Sequence, residues 1–262
     1  MNEQHINNNL EISDNFKKLT SEWLVNAIEN RYAHGFTWLA RPIIQVPQDI
    51  YAIQEIIWNV QPDLIIETGI AHGGSLILSA SILALLDYCE AIKTGSDTLS
   101  LKSQRLVLGI DIDIREHNRK AIEAHPLCHL IEMIEGSSIS PDVIEQVKSR
   151  SQKFNRILVF LDSNHTHDHV LAELEAYAPL VSEGSYCVVW DTGVEDLPDG
   201  FVTDRPWGKG NNPKTAVFEY LEILKTNGRQ AADGKLLQFE IDKFIEHKIV
   251  ITASPDGFLR RI

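Results

Sequence analysis

An apolar run that ends in an acid and then breaks into three glycines, DLIIETGIAHGGS at residues 63–75, leaves few folds open to this chain. Leu64 to Ile66 are too few for a helix and rich in β-branched side chains, so they read as a buried parallel strand. Gly69, Gly73 and Gly74 let the backbone turn tightly and approach a ligand with no Cβ in the way. From Ser75 to Leu86 the chain then has helical length and an apolar face. Strand, glycine turn and helix in that order open a parallel α/β sheet.

The chemistry of this turn narrows its ligand. A helix N-terminus offers free N–H groups, and Glu67 at the strand end suits a sugar hydroxyl or an amine better than a phosphate. The turn has neither the G-x-G-x-x-G of a dinucleotide site nor the Gly-Lys-Ser/Thr of a P-loop. Its E-x-G-x-x-x-G-G spacing looks instead like the nucleoside end of an S-adenosyl-L-methionine (SAM) site, whose ligand is cationic and carries no phosphate. A tight βα turn in an ordinary α/β protein has the same spacing. The cofactor-binding candidates here are Glu67, Gly69, His72, Gly73 and Ser75.

From Glu67 onward strands and helices alternate, with apolar runs at Leu106 to Ile110, Leu130 to Ile134, Ile157 to Leu161 and Tyr186 to Val189. That pattern predicts a doubly wound parallel sheet. Leu236 to Ile241 and Lys248 to Thr252 read as two further strands, too close in sequence for a parallel crossover and so antiparallel at the sheet edge. Seven strands ending in an antiparallel hairpin resemble the Rossmann-like class I methyltransferase sheet. Ahead of it, Phe16, Leu19, Trp23, Ala27 and Ile28 mark an amphipathic helix that Asp14 can cap, and Ile50, Ile53, Ile56, Ile57 and Val60 mark a second. The expected organisation is a flexible tail over residues 1–13 and one domain over 14–262, with 14–60 as a helical N-terminal extension. Ala91 to Gln104 reads as an exposed linker inside that domain.

With 262 residues and 44% hydrophobic content the chain can build a real core. Its 37 acids against 24 Lys and Arg speak against nucleic acid and anionic lipid as partners. Cys89, Cys128 and Cys187 are isolated, which argues against a disulfide framework and a cysteine metal site. No signal peptide or spanning segment is read, so the expected compartment is the cytoplasm. The first helix packs on the sheet or on a second subunit, and a homo-oligomer is expected.

Ligand sites in such sheets lie where the strands end at their carboxyl edges. The second strand ends in GIDID, placing Asp111 to accept hydrogen bonds from ribose hydroxyls, with Asp113 either beside it or capping the next helix. The third ends in Glu135-Gly-Ser137-Ser138, a small polar loop that lets a purine ring lie close to backbone. The fourth ends in Asp162-Ser-Asn-His165-Thr166-His167-Asp168-His169, and the fifth in Trp190-Asp191, with Glu195 shortly after. Adjacent strand ends are roughly 5 Å apart, so Asp162 and Asp191 can share a hard cation such as Mg2+. Without one, two acids that close repel. His167 and His169 fall on the following helix, which Thr166 would cap. The loop from Asp204 to Pro213, with Trp207, Gly208, Gly210 and Asn211, can close over an acceptor.

The runs IIETGIAHGGS, GIDIDIR, LDSNHTHDHVLAELEAYAPLV, GSYCVVWDT and DRPWGKGNNPKTAV are similar to the cephalosporin hydroxylase family, also described as a rhamnosyl O-methyltransferase family. The likeness runs from Phe36 to the C-terminus. It implies a SAM-dependent methyltransferase fold and Mg2+-assisted O-methylation of a sugar, glycolipid or polysaccharide precursor, or small natural product. It also implies Asp162 and Asp191 as metal ligands and His165 as catalytic base alongside Asp162. In several metal-dependent relatives a second carboxylate precedes the last acid, whereas this chain has Trp190, so the resemblance leaves His165, Glu195 or water to complete the shell. Two rivals remain at this stage, a hydroxylase component and a SAM-binding partner without catalysis. An Fe(II) hydroxylase needs two His and a carboxylate, typically in a β-barrel, and the α/β pattern does not supply that scaffold.

Overall fold

The computed structural model describes residues 12–95 and 103–262, so the expectations for residues 1–11 of the tail and 96–102 of the linker lie outside the described residues, while Ala91 to Lys93, expected as linker, are the last turn of a helix. Helix α1 (Asp14–Glu29) comes first, and the cap is Ser13 rather than Asp14: the Phe16 N–H donates to Ser13 Oγ at 3.3 Å, leaving Asp14 in the first turn. A 3-10 turn at Tyr32–Gly35 leads into a small antiparallel hairpin, β1 (Phe36–Trp38) and β2 (Arg41–Ile43). The segment expected as an aromatic, proline-punctuated loop is therefore partly a hairpin. It is clipped to the body through Trp38, whose indole N–H donates to Ser81 Oγ at 3.0 Å.

Helix α2 (Pro47–Val60) feeds β3 (Leu64–Thr68) through a short link. It therefore runs antiparallel to that strand, and its first turn lies at the strand's carboxyl edge. Then follow α3 (Gly74–Lys93), β4 (Leu106–Asp111), α4 (Glu116–Glu123), β5 (Ile131–Glu135), α5 (Pro141–Ser151), β6 (Ile157–Leu161), α6 (His167–Tyr177) and β7 (Tyr186–Val189). The chain ends with α7 (Pro213–Asn227), β8 (Phe239–Ile241), α8 (Lys243–Ile249) and β9 (Phe258–Arg261). The main sheet has seven strands in the order β5-β4-β3-β6-β7-β9-β8, with β3 to β7 parallel and β9 antiparallel to both of its neighbours, β7 and β8.

β3 and β6 are buried along their whole length, as expected of central parallel strands covered on both faces. One apolar cluster packs α5, α6 and α7 against one face, and the other packs α2, α3 and α8 against the opposite face. Helix α3 is the only described helix long and apolar enough to cross a bilayer, which the sequence reading did not flag; here it packs against the sheet, with Leu76, Ile77 and Leu83 fully buried.

One strand assignment is corrected. Lys248 to Thr252 is not a strand: Lys243–Ile249 is helical, and the partner of β8 is Phe258–Arg261. Asp242 begins the helix by accepting from the Phe244 N–H at 3.0 Å and the Ile245 N–H at 3.3 Å. Ile245 and Ile249, four apart on one helix face, then pack against the α2 and α3 core, so tertiary burial overrides the β-branched run.

Candidate active site

The glycine turn passes over the end of β6, and that crossing explains Gly69. It has φ +87°, and a Cβ there would lie 2.0 Å from the Asp162 carbonyl oxygen. Asp111 secures the turn from the neighbouring strand: one carboxylate oxygen accepts from the Ile70 N–H at 2.7 Å and the Ala71 N–H at 3.2 Å, and the other from the Asp113 N–H at 3.1 Å. Asp113 itself is exposed and does not cap α4, which Arg115 precedes with no side-chain bond. Glu67 is 2% exposed; one oxygen accepts from the Ser75 hydroxyl, and the other is buried without a partner. Burial pushes its carboxyl up to about 7, against the opposing effect of Ser75.

Two residues the sequence reading missed fasten the turn. Arg41 donates to the His72 carbonyl from Nε at 3.1 Å and to Asn118 Oδ1 from Nη2 at 3.1 Å, while Asn118 Nδ2 donates to the Ala71 carbonyl at 2.8 Å. An arginine placed just after a Trp-Leu-Ala turn carried no spacing signal toward residues 71–72. The Ser137–Ser138 loop differs from its expected part. Ser138 is buried, its Oγ is 3.0 Å from His169 Nε2, and its carbonyl accepts from the Tyr177 hydroxyl. The Ser138 side chain is therefore turned into the protein, while Ser137 stays half-buried at the loop.

At the ends of β6 and β7, Asp162, His165 and Asp191 each offer a ligand atom, and these atoms lie within 4.8 Å of one another. His165 Nε2 is 3.3 Å from Asp191 Oδ2. Among the described residues no Lys or Arg pairs with Asp162 or Asp191. Burial is the main cause that holds the Asp162 carboxyl well above the usual carboxylate range, followed by the charges of Asp191, Glu67, Glu173 and Asp49. This is a place where positive charge is wanted.

Trp190 does not take a ligand's place. It is 4% exposed and packs between Phe160 and Phe258, with ring centroids 6.3 Å away on each side. Glu195 is not brought to the cluster either: it accepts from the Gly210 N–H at 2.7 Å and from the Asn212 amide, fixing the 204–213 loop. That loop carries Trp207 edge-on against His165 at 4.9 Å between centroids. Thr166 stands at the N-cap of α6, but its hydroxyl donates to Asn164 Oδ1 at 2.8 Å. His167 and His169 are engaged in the protein, at 2.8 Å from Thr215 Oγ1 and 3.2 Å from Ser163 Oγ respectively.

A doubly wound sheet with this strand order, a glycine turn after its first parallel strand and acids at successive strand ends defines a class I methyltransferase fold. The profile of the rhamnosyl O-methyltransferase/CmcI family matches residues 30–262, and the chain belongs to that family, whose members are SAM-dependent O-methyltransferases by class. The rhamnosyl O-methyltransferase of Mycobacterium tuberculosis is 28% identical over 216 residues, 81% of this chain and 73% of that protein. Its Mycobacterium leprae counterpart is 27% identical over 226 residues, 86% of this chain and 82% of that protein. Among solved structures, CmcI with Mg and SAM aligns with a TM-score of 0.51 at 17% identity, covering 87% of this chain and 77% of the other, a likeness of fold.

Proposed function

We propose that this chain methylates a hydroxyl of a sugar or small natural product, taking the methyl group from SAM and using Mg2+ held by Asp162 and Asp191. The observation that carries the reading is the convergence of Asp162, His165 and Asp191 beside the glycine turn. The residues fit both groups. Two carboxylates close together with no Lys or Arg partner among the described residues suit a hard cation, and a buried Glu67 oxygen without a donor suits a cationic or hydroxyl-bearing ligand at the turn. One His with two carboxylates is the reverse of the two-His, one-carboxylate set of an iron hydroxylase. Residues 14–262 act as one unit, with 14–60 as its extension.

When bound, SAM supplies an electrophilic methyl on its sulfonium and Mg2+ supplies positive charge that lowers the pKa of the acceptor hydroxyl. Glu67, Asp111 and the turn from Gly69 to Ser75 bind and orient the cofactor. Asp191 Oδ2, 3.3 Å from His165 Nε2, orients the ring so that Nδ1 is the nitrogen left to take the acceptor proton. Trp207 covers the imidazole and excludes water. The C–S bond breaks as the new C–O bond forms, and the proton passes from His165 to solvent.

The test is mass-spectrometric detection of methyl transfer from SAM to a panel of rhamnose-bearing glycosides and small hydroxylated natural products, with EDTA and with Mg2+ restored. Transfer that stops with EDTA and returns with Mg2+ is expected. Calorimetry showing NAD or ATP bound in preference to SAM overturns the reading, and turnover indifferent to EDTA overturns its metal part.

A further inference from the structure

One loop grips the end of β7 through three successive residues. The Asp191 N–H donates to Ser254 Oγ at 3.2 Å, the Thr192 hydroxyl to the Pro255 carbonyl at 2.6 Å, and the Gly193 N–H to the Ala253 carbonyl at 3.0 Å. The approach is so close that a Cβ on Gly257 would lie 2.2 Å from the Val189 carbonyl oxygen. The grip has work to do, because Asp191 sits at φ 56° in the left-handed region. That conformation is strained for a non-glycine residue and persists only where the surroundings impose it.

The other side of the loop is held by Asp49, in the first turn of α2. Its Oδ2 accepts the Ala253 N–H at 2.9 Å, while the Ser254 N–H donates to the Thr252 hydroxyl at 2.9 Å. The Ala253 peptide is thus bonded on both faces, its N–H to Asp49 and its carbonyl to Gly193. Asp49 is 1% exposed, and a buried carboxylate is costly to keep unless its hydrogen bonds are needed.

We infer that Asp49 is a positioning residue for Asp191: through the Ala253 peptide and the Ser254 hydroxyl it fixes the left-handed turn that directs the Asp191 carboxylate toward Asp162 and His165. The Asp49 hydrogen bond goes to the Ala253 N–H and not to a ligand atom of the cluster, and the inference rests on the metal reading given above. It ties α2 to the cation side of the site, while Arg41, elsewhere in the same extension, fastens the cofactor side.

The experiment measures Mn2+ binding by the loss of the free-ion EPR signal, and SAM affinity by calorimetry, in the full chain. Asp49→Ala is expected to weaken Mn2+ binding roughly 10–100-fold, the range for residues that orient metal ligands, with SAM affinity unchanged. Asp49→Asn keeps an oxygen for the Ala253 N–H, removes the charge and puts an amide nitrogen where the partnerless Oδ1 stood, so it should bind Mn2+ close to wild type. Ser254→Ala, which removes the direct bond to Asp191, should weaken Mn2+ in the same direction and keeps the proposal testable if Asp49→Ala does not fold. Mn2+ affinity unmoved in folded Asp49→Ala or in Ser254→Ala, while Asp162→Asn binds none, overturns the positioning role and leaves the metal reading standing. An Asn variant as poor as the Ala variant overturns it in favour of a purely electrostatic effect. Wild type and Asp162→Asn binding Mn2+ equally, or neither binding it, overturns both.

Discussion

The two halves of the site treat their carboxylates in opposite ways. On the glycine-turn side, Asp111 accepts three backbone N–H bonds, and its charge is satisfied by the fold itself. On the β6–β7 side, Asp162 and Asp191 face each other with one histidine between them and no Lys or Arg among the described residues. A hydrogen-bonded acid can stand alone at its strand end; two clustered acids are at odds until a cation joins them. The turn itself is held by the fold, with only the inner Glu67 oxygen left without a partner, whereas the β6–β7 acids are a pair that a ligand completes.

The sharpest way to break that contrast is to remove one of the clustered acids. Asp162→Asn and Asp191→Asn should each bring turnover to background and abolish divalent-ion dependence, and the double variant should be no worse than either, since the residues act as a unit. The same Asp162→Asn change should raise the melting temperature of the metal-free protein, because a repelling charge is gone. A lower melting temperature would mean the acids are already neutralised by the fold. Next in size, His165→Ala should lower kcat by roughly 10²–10⁴-fold with SAM affinity intact; weaker Mn2+ binding with kcat retained would make His165 a ligand instead of a base.

On the glycine-turn side the effects are smaller. Arg41→Ala removes charged hydrogen bonds from the His72 carbonyl and should cost about 1.5–3 kcal/mol of SAM binding, read by calorimetry, with Mn2+ affinity unchanged. Equal losses of both ligands would erase the distinction between the halves. The smallest expected effect is a slope. Glu67 has its pKa raised from 4.5 to about 7, so the folded protein keeps a proton that the unfolded chain has lost within that window. Stability contributed by this group is full below the lower value and is lost as pH rises through the upper one. Thermal melts of the cofactor-free protein from pH 5 to pH 8 should fall less steeply in Glu67→Gln. Asp49, raised from 3.8 to about 7 mainly by burial, should keep part of the slope in that variant.

What could be read from sequence follows the same divide between local and distant causes. Ile157–Leu161 and Tyr186–Val189 were legible to the residue, because fully buried parallel strands are continuous apolar runs, and the acids that end them are next in the chain. The meeting of Asp162 and Asp191 was legible from strand adjacency alone. The bond from Ala253 to Asp49 was not, since it joins positions 204 residues apart through a main-chain donor that no side-chain pattern records. That Trp190 packs between Phe160 and Phe258 was likewise out of reach, since Phe258 lies on a strand far along the chain. Residues 248–252 misled because Ile249 packs on a helix face that Asp242 starts, and Val250, at positive φ, ends that helix and sends Ile251 and Thr252 into a loop.

The tryptophan resting on His165 has a kinetic meaning. With Trp207 against the His165 ring, entry of an acceptor and exit of a methylated product are expected to require the 204–213 segment to lift. The downstream end of that segment is pinned by the Asn212–Thr215 capping box at the start of α7 and by the bonds from Gly210 and Asn212 to Glu195. The swing must therefore break the Glu195 bonds and hinge upstream of Trp207, and its clock is mechanical. Turnover is then expected to slow as viscogen is added and to be indifferent to isotopic substitution of the transferred methyl.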